Sequence, residues 1–593
     1  MTEKASSDRI KFLKLIYTGA FLFFTASMVL VWLNSPARGY EISLFTALPL
    51  AVWVLLFLAV VIAIGLLVHA VRSPDPWGWV FSGILLLLFN TAILSLQFVR
   101  GYFVYAVADP FAHIGTAGEI VTSGYFTDNY YPAVHLLGAT ISIVTGLPYI
   151  DGMIILPLFF TLLFIIFTYF LTRSISHDRR CAILALAAAT PLLFAYYHLT
   201  PYPHALAIFL FPVLFFVYFR NLNSPSRGGT ILLLILLVMY VFLHPLIVMV
   251  LISSLFAAEG AKWLWRRQVS QVRTPLSANP ALIALCSFFL WFAYFTGSGI
   301  PAQRITQRVT QETLTTIKRA QELDPVFQLD LPHFIELTIK MYGHLAIFLV
   351  CAGVVCGMAI LFLKRKESQH GNLFLMSVIF VTSMLSYMVV ANRTGLVTMG
   401  RLFSANAGIW ATPVLASVIF LFLIRPEQRG KPRGRTAGTL IVVLLLVFSC
   451  FIGVMSSYRS PWIYQQSWQV THMDMAGTIW FGANTVEGRF GYEPMGFGGR
   501  YKNPNFPRHF GYTENPSAGD SLYQDTYVVL TSRFIEATRD PALQYYMNVP
   551  WYLGRQGFDP PDFVRFGNDP SVDQVYTNRE FSVFLARSTR SLR

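Results

Sequence analysis

Charge is what this chain has least of. Lys, Arg, Asp and Glu make up only 12% of its 593 residues, while hydrophobic residues make up 55%. A soluble protein of this size has no use for so much apolar surface, so the composition places the chain among multi-span membrane proteins. Cysteine is scarce as well. Cys181, Cys286, Cys351, Cys356 and Cys450 all fall in apolar segments, none at zinc-ligand spacing with histidine, so neither a disulfide framework nor a cysteine metal site is expected. No internal repeat and no low-complexity tract stands out.

The formal charge of +14 could suggest a nucleic-acid partner. Its distribution argues otherwise. Residues 458–593 hold 13 basic and 13 acidic residues, so the excess lies in the first 457, gathered in short loops between apolar runs. That is the pattern of cytoplasmic loops in a membrane protein. Nucleic acid is therefore not an expected partner.

A helix rises 1.5 Å per residue and must cross roughly 30 Å of hydrocarbon, so spans of about 17 to 25 residues are sought. Thirteen are expected, near 12–33, 45–70, 78–98, 150–171, 181–198, 204–219, 230–243, 246–264, 279–296, 341–363, 373–391, 403–424 and 438–457. The first, behind Lys4, Arg9, Lys11 and Lys14, is longer than a signal-peptide core and reads as an uncleaved anchor. The apolar stretch 132–147 would reach only about 24 Å as a helix. If it lies along the interface, 22 basic residues fall in inner loops and nine in outer ones; if it crosses, the bias reverses. It is therefore read as interfacial or re-entrant. The pairs 181–198 with 204–219 and 230–243 with 246–264 could each cross or form a re-entrant hairpin, without changing sidedness. The N-terminus is then cytoplasmic, and 99–149, 297–340 and 458–593 lie outside. The expected architecture is an α-helical polytopic membrane protein with a small extracytoplasmic α/β domain. Residues 1–77 would supply a tail and two extra spans, 78–457 the membrane core, and 458–593 the outer domain. In that domain YVVLTSRF, 527–534, reads as a strand, and QVYTNREFSVFLAR as a strand pair turning near Thr577 to Arg579.

Titratable residues crowd the outer side. His113, His135, His198, His204, His244, His333 and His344 fall there, against His69, His177 and His370 inside. Polar groups at a membrane boundary are costly unless paired or used. Asp109-Pro110 alone reads equally well as a helix start, the carboxylate capping free N–H groups. Alternatively, Asp109 and His113, four apart, share one helix face, and a carboxylate there can serve as general base towards a hydroxyl. Glu119 reads first as a solvated or ion-paired helix residue, and His135 as a polar-face residue. Asp128 reads as a turn residue, and Gly496 to Gly499 as a flexible turn. His244-Pro245 marks a helix break. Trp462, Trp468 and Trp480 suit an interfacial belt or a sugar-stacking surface.

Taken together, Asp109 directly after a span in the first large outer loop, the interfacial segment from Tyr131-Pro132 to Leu147 with its Gly-Leu-Pro exit, the many spans and the outer C-terminal region resemble the GT-C superfamily of integral-membrane glycosyltransferases. Protein O-mannosyltransferases, aminoarabinose transferases and oligosaccharyltransferase catalytic subunits belong to it. The closing VYTNREFSVFLAR is similar to outer domains of archaeal members. The resemblance implies a sugar donor linked to polyprenyl phosphate, entering from the lipid, and a hydroxyl acceptor on a protein, glycan or lipid. Asp109 would be the base of an inverting displacement. His113, Glu119, Tyr131, His135, His204 and His244 would line the substrate site. Cations should neutralise the departing phosphate; Arg401 in TMGRLFSAN is the first choice, which reads equally as a headgroup anchor, and Arg393, Arg304 and Arg308 follow. This chain departs from the pattern in two ways. Asp109 is followed by Pro110 and Phe111 rather than a second acid, so a divalent metal is left open, with His113 and Glu119 as an alternative ligand pair. The Trp-Trp-Asp-Tyr-Gly acceptor motif is missing, which argues against an oligosaccharyltransferase. A flippase of lipid-linked glycans and a non-catalytic scaffold are the competing readings. Transporters hold ionisable groups near midplane and often have two similar halves. Acidic residues here avoid span centres.

Overall fold

Prolines and polar caps decide where the helices stop. A computed structural model describes residues 2–72, 77–106, 109–125, 131–270, 280–295, 329–367, 370–393, 406–424, 432–484, 489–492, 526–543 and 572–586. In chain order the membrane part comprises α1 (Thr2–Leu33), α2 (Leu44–Ala47), α3 (Leu50–Arg72), α4 (Gly78–Val99), β1 (Val104–Tyr105), α5 (Asp109–Ser123), α6 (Ala133–Thr145), α7 (Tyr149–Ser176), α8 (Arg179–Ala189), α9 (Pro203–Phe209), α10 (Phe211–Asn223), α11 (Arg227–Leu243), α12 (Pro245–Trp265), α13 (Pro280–Phe295), α14 (Leu331–Lys364), α15 (Gly371–Arg393), α16 (Thr412–Ile424) and α17 (Pro432–Ser457). Asp178, Ser226 and Asp330 cap α8, α11 and α14, each side chain accepting from a backbone N–H that the helix leaves unpaired.

Among the described residues nine helices are long and apolar enough to cross a membrane, and Ala133–Thr145, Arg227–Leu243, Pro280–Ala293 and Ile409–Ile424 are shorter apolar helices. The architecture is that of a polytopic helical membrane protein. Not every expected span is a single helix: of 403–424, only Ile409–Ile424 is helical among the described residues. Residues 181–198 do not form a single helix: α8 ends at Ala189, before Pro191, and the chain continues through buried irregular backbone and a 3₁₀ turn at Ala195–His198. Non-helical backbone at that depth is tolerated because it is enclosed by protein. Its polar groups find partners there: Thr161 Oγ1 lies 2.9 Å from His198 Nδ1, and the Phe194 N–H donates to His198 Nε2 at 3.2 Å.

Contacts define two ends of the bundle. At one, Asn223 Nδ2 donates to the Ser174 carbonyl, Asn372 Nδ2 donates to Asn223 Oδ1, Arg72 donates to Thr439, and Arg179 lies over Trp79. At the other, the Tyr458 hydroxyl donates to the Ile93 carbonyl, the Arg459 N–H donates to the Tyr105 hydroxyl, and β1 pairs antiparallel with β2 (Gln469–Val470). The α11–α12 pair is a hairpin running between these ends, with the extended residue His244 at its tip.

Beyond α17 come α18 (His472–Asn484), β3 (Arg489–Tyr492), β4 (Thr526–Thr531), α19 (Ser532–Arg539), β5 (Val572–Thr577) and β6 (Phe581–Ala586). The sheet order is β3-β4-β6-β5; β5 and β6 are antiparallel with Thr577 opposite Ser582, and β4 pairs with β6 with Val529 opposite Val583. The segment read as a strand over 527–534 turns helical at Ser532. Phe481, Val529, Phe581 and Val583 make the small core, and α18 reaches it through Gly477, where a Cβ would fall 2.3 Å from the Phe581 ring.

Candidate functional site

The end bearing β1 gathers histidines from four separate segments. Asp109 begins α5, and His113 follows one turn later, about 40° round the helix from it. Tyr131 precedes α6 and His135 lies on it; His204 sits in the first turn of α9; His244 tips the α11–α12 hairpin. His113 Nδ1 and His135 Nε2 are hydrogen-bonded at 3.0 Å. The Tyr131 ring centroid lies 5.9 Å from His113, 5.9 Å from His135 and 5.2 Å from His244, and His244 lies 5.8 Å from His204. Asp109, His113, Tyr131, His204 and His244 each keep part of their surface accessible, whereas His135 is buried. The result is one contiguous patch of groups that can give or take protons.

Two features hold this patch in place. Helix α6 crosses α7 at glycines: a Cβ on Gly138 would fall 2.3 Å from Met153 Sδ, and one on Gly152 would fall 2.5 Å from the Gly138 carbonyl oxygen. Only that close approach seats α6, and with it His135, against α7. His244 is held by the chain reversal itself, because Pro245 has no N–H to continue α11 and instead starts α12.

The electrostatics follow from burial. Desolvation, then the neighbouring His135 and His244, hold the His113 imidazole well below the usual histidine range, so it is a neutral base at pH 7. Desolvation, then the Asp109 carboxylate, raise the Tyr131 hydroxyl above its usual value, so it remains a donor. Asp109 is thus electrostatically coupled to the aromatic patch.

The aromatic row continues beyond the histidines. His204 lies 5.1 Å from Tyr197 and 5.4 Å from Tyr202; Tyr196 packs on Tyr197 at 4.2 Å and on Trp468 at 4.7 Å. Arg459 closes the row, its guanidinium carbon 3.5 Å from the Trp468 ring centre and 4.8 Å from that of Tyr196. Sequence reasoning missed Arg459, which it counted with a charge-neutral C-terminal segment. Its place one residue beyond the aromatic end of a span, Ser457-Tyr458, was the available signal.

Other expected site residues fare differently. Glu119 lies on α5 about 120° round from His113, half-buried, with no hydrogen bond or ion pair to its carboxylate among the described residues. It does not join the cluster. Among the described residues no three His, Cys, Asp or Glu side chains are placed to hold a cation, and His113 and Glu119 lie on different faces of α5. Arg304, Arg308 and Arg401 lie outside the described residues, as do Asp128 and Gly496 to Gly499; Arg393 is the last residue of α15. Arg100, directly after α4, is buried and committed to Glu41, which also accepts from the Tyr102 hydroxyl. His198 is held by Thr161, and His333 by Asp330 at 2.5 Å. Trp480 stacks on Tyr576 at 4.2 Å, and Trp462 carries Lys340 Nζ at 4.2 Å.

A cavity of about 620 Å³ opens beside this end, lined by Phe98, Tyr102, Phe103, Leu147, Asp151 and His472 among others. None of the clustered histidines lines it. Its walls are chiefly apolar, with Ser95, Tyr102, Asp151 and His472 as polar groups.

No family model and no curated protein matches the chain. Two solved structures of the Archaeoglobus fulgidus oligosaccharyltransferase are similar to it. One, tethered with an acceptor peptide, has a TM-score of 0.46 at 13% identity, covering 83% of this chain and 73% of that one. The other, a complex with Zn and sulfate, has a TM-score of 0.42 at 14% identity and covers 72% of this chain, which spans 58% of that one. Likeness at this level transfers no residue role, substrate or activity to this chain.

Proposed function

We propose that this protein is a membrane glycosyltransferase of the GT-C type, moving a sugar from a polyprenyl-phosphate donor to a hydroxyl acceptor with inversion, and with Asp109 as general base. One observation carries the reading: Asp109, His113, Tyr131, His204 and His244, with buried His135 behind them, arrive from four segments at one accessible patch at an end of an apolar bundle. A waterborne hydroxyl and a lipid-borne sugar can meet only at such an edge. The basic loops at the opposite end support placing this patch on the extracytoplasmic side.

In the proposed step the acceptor oxygen bonds to the anomeric carbon as the bond from that carbon to the phosphate oxygen breaks. The electron pair leaves with the phosphate, and the hydroxyl proton passes to the Asp109 carboxylate. Such base assistance contributes about 10² to 10⁴ in rate. Neutral His113, bonded to His135, can take that proton onward, and the Tyr131 hydroxyl can donate to the sugar. The phosphate needs a cation. Arg459, stacked beside the aromatic row, joins Arg401, Arg393, Arg304 and Arg308 as a candidate, since a guanidinium presents forked donors to phosphate oxygens. The test is sugar transfer from a polyprenyl-phosphate sugar in membranes containing wild type or Asp109→Asn. Loss of transfer with normal protein levels supports the reading; equal transfer removes it.

A further inference from the structure

The opposite end of the bundle holds a second cavity, of about 530 Å³, at the meeting of the C-terminal ends of α7, α10 and α12 with the start of α15. His177, Lys262 and Arg266 line it, together with Asn372, Trp265 and Phe374, and among the described residues no carboxylate does. Glu259 accepts from Lys262 at 2.6 Å and from the Tyr218 hydroxyl at 3.2 Å, so Lys262 is partly neutralised.

The backbone is unusual at the same place. Helix α12 runs directly into a π-helical turn, Arg266–Ser270, which widens the helix where Arg266 meets the cavity. Such turns are rare and concentrate at functional sites. Helix α15 begins at Gly371, and Gly371 and Asn372 line the cavity, so the positive end of the helix dipole lies there. Trp265 stacks on Phe374 with centroids 5.3 Å apart. Gly371 permits this, because a Cβ there would fall 2.9 Å from Trp265 Nε1.

A phosphate group satisfies the cations and the helix start, yet a free phosphate has no need of the indole and phenyl wall. A phosphate carried on acyl chains uses both, and the cavity lies at helix ends, the depth at which headgroups sit. Basic pockets between helices at such ends recognise anionic headgroups. We infer that this cavity binds the phosphate headgroup of an anionic membrane lipid, with Arg266 and Lys262 as its cations and Trp265 and Phe374 along the first methylene groups.

The experiment uses the full chain in detergent, following thermal unfolding and native mass spectra with added phosphatidylglycerol, phosphatidylcholine or inorganic phosphate. Phosphatidylglycerol should raise the midpoint by several degrees and remain bound, with no effect from the other two. The double variant Lys262→Gln/Arg266→Gln should bind it roughly tenfold more weakly, and Arg266→Lys should retain part of the affinity. Gly371→Ala, which leaves every charge in place but displaces Trp265, should also weaken retention. An equal shift from phosphatidylcholine, an unchanged lipid effect in the double variant, or full stabilisation by inorganic phosphate alone would each overturn the proposal. Should the double variant fail to fold, Gly371→Ala and the phosphate arm still decide.

Discussion

The two ends of this bundle handle polar groups in opposite ways. At the end bearing β1, the polar side chains are mostly histidines and tyrosines packed ring against ring, with charge kept low: His113 is neutral, and Arg100 is committed to Glu41. At the other end the cavity holds two permanent cations, Lys262 and Arg266, beside His177 and Asn372, and no acid lines it among the described residues. The first arrangement suits proton transfer, which needs neutral groups that can take or give a proton. The second suits holding an anion. The same scaffold thus separates a place where charge moves from one where charge stays.

The largest expected effect tests that separation directly. Asp109→Asn should lower sugar transfer by about 10² to 10⁴-fold, whereas Arg266→Gln should leave the turnover rate in lipid-supplemented membranes within about twofold, well under the 1.4 kcal/mol that a tenfold change represents. Loss of transfer in both would erase the contrast. Next in size is the proton-handling pair. Transfer should decline as pH falls towards the depressed His113 value, and His135→Gln, which removes a neighbouring imidazole that helps lower it, should move this acid limb to higher pH. A pH–rate profile unchanged by the substitution would exclude His113 from the proton path.

A structural comparison of glycines at the two ends comes third. Gly152→Ala drives a methyl group into the Gly138 carbonyl and should cost about 1 to 3 kcal/mol of stability, with His135 displaced. Gly228, near the start of α11 at the basic end, has no atom within 4 Å of an added Cβ, so Gly228→Ala should be neutral or stabilise by about 0.4 to 1 kcal/mol. Thermal unfolding of the two variants side by side provides the check.

The smallest effect concerns Asp474, which caps α18 by accepting from the Thr471 N–H at 3.0 Å. Burial pushes its carboxyl up to about 6. The native state therefore holds this proton more tightly than the unfolded chain, whose aspartates titrate near about 3.9. Stability from this group is fully present below about 3.9 and is lost as pH rises through about 6. In Asp474→Asn that slope should disappear from the pH dependence of unfolding; an unchanged slope would assign it to other groups.

Much of the site was legible along the chain, for a local reason. Asp109 and His113 share a helix face by spacing alone, and the break at His244-Pro245 follows from proline's missing N–H. The contact between Tyr131 and His244 was not legible, because it joins an interfacial helix to a hairpin tip far along the sequence. The pairing of Arg100 was not legible either: by position it is an outer cation, and only packing brings Glu41 to it. Glu119 and the span at 181–198 show the converse, where a local pattern was overruled by helix phase and by enclosed irregular backbone.

The amino-acid order alone determined that the chain belongs in a bilayer and roughly where most of its helices cross, because partitioning between water and hydrocarbon is settled residue by residue over windows of about 20 residues. Which polar groups meet, which cations are already paired, and where cavities remain were decided only by tertiary structure. Those outcomes depend on side chains from distant segments reaching the same few cubic ångströms, and no local term in the chain encodes that meeting.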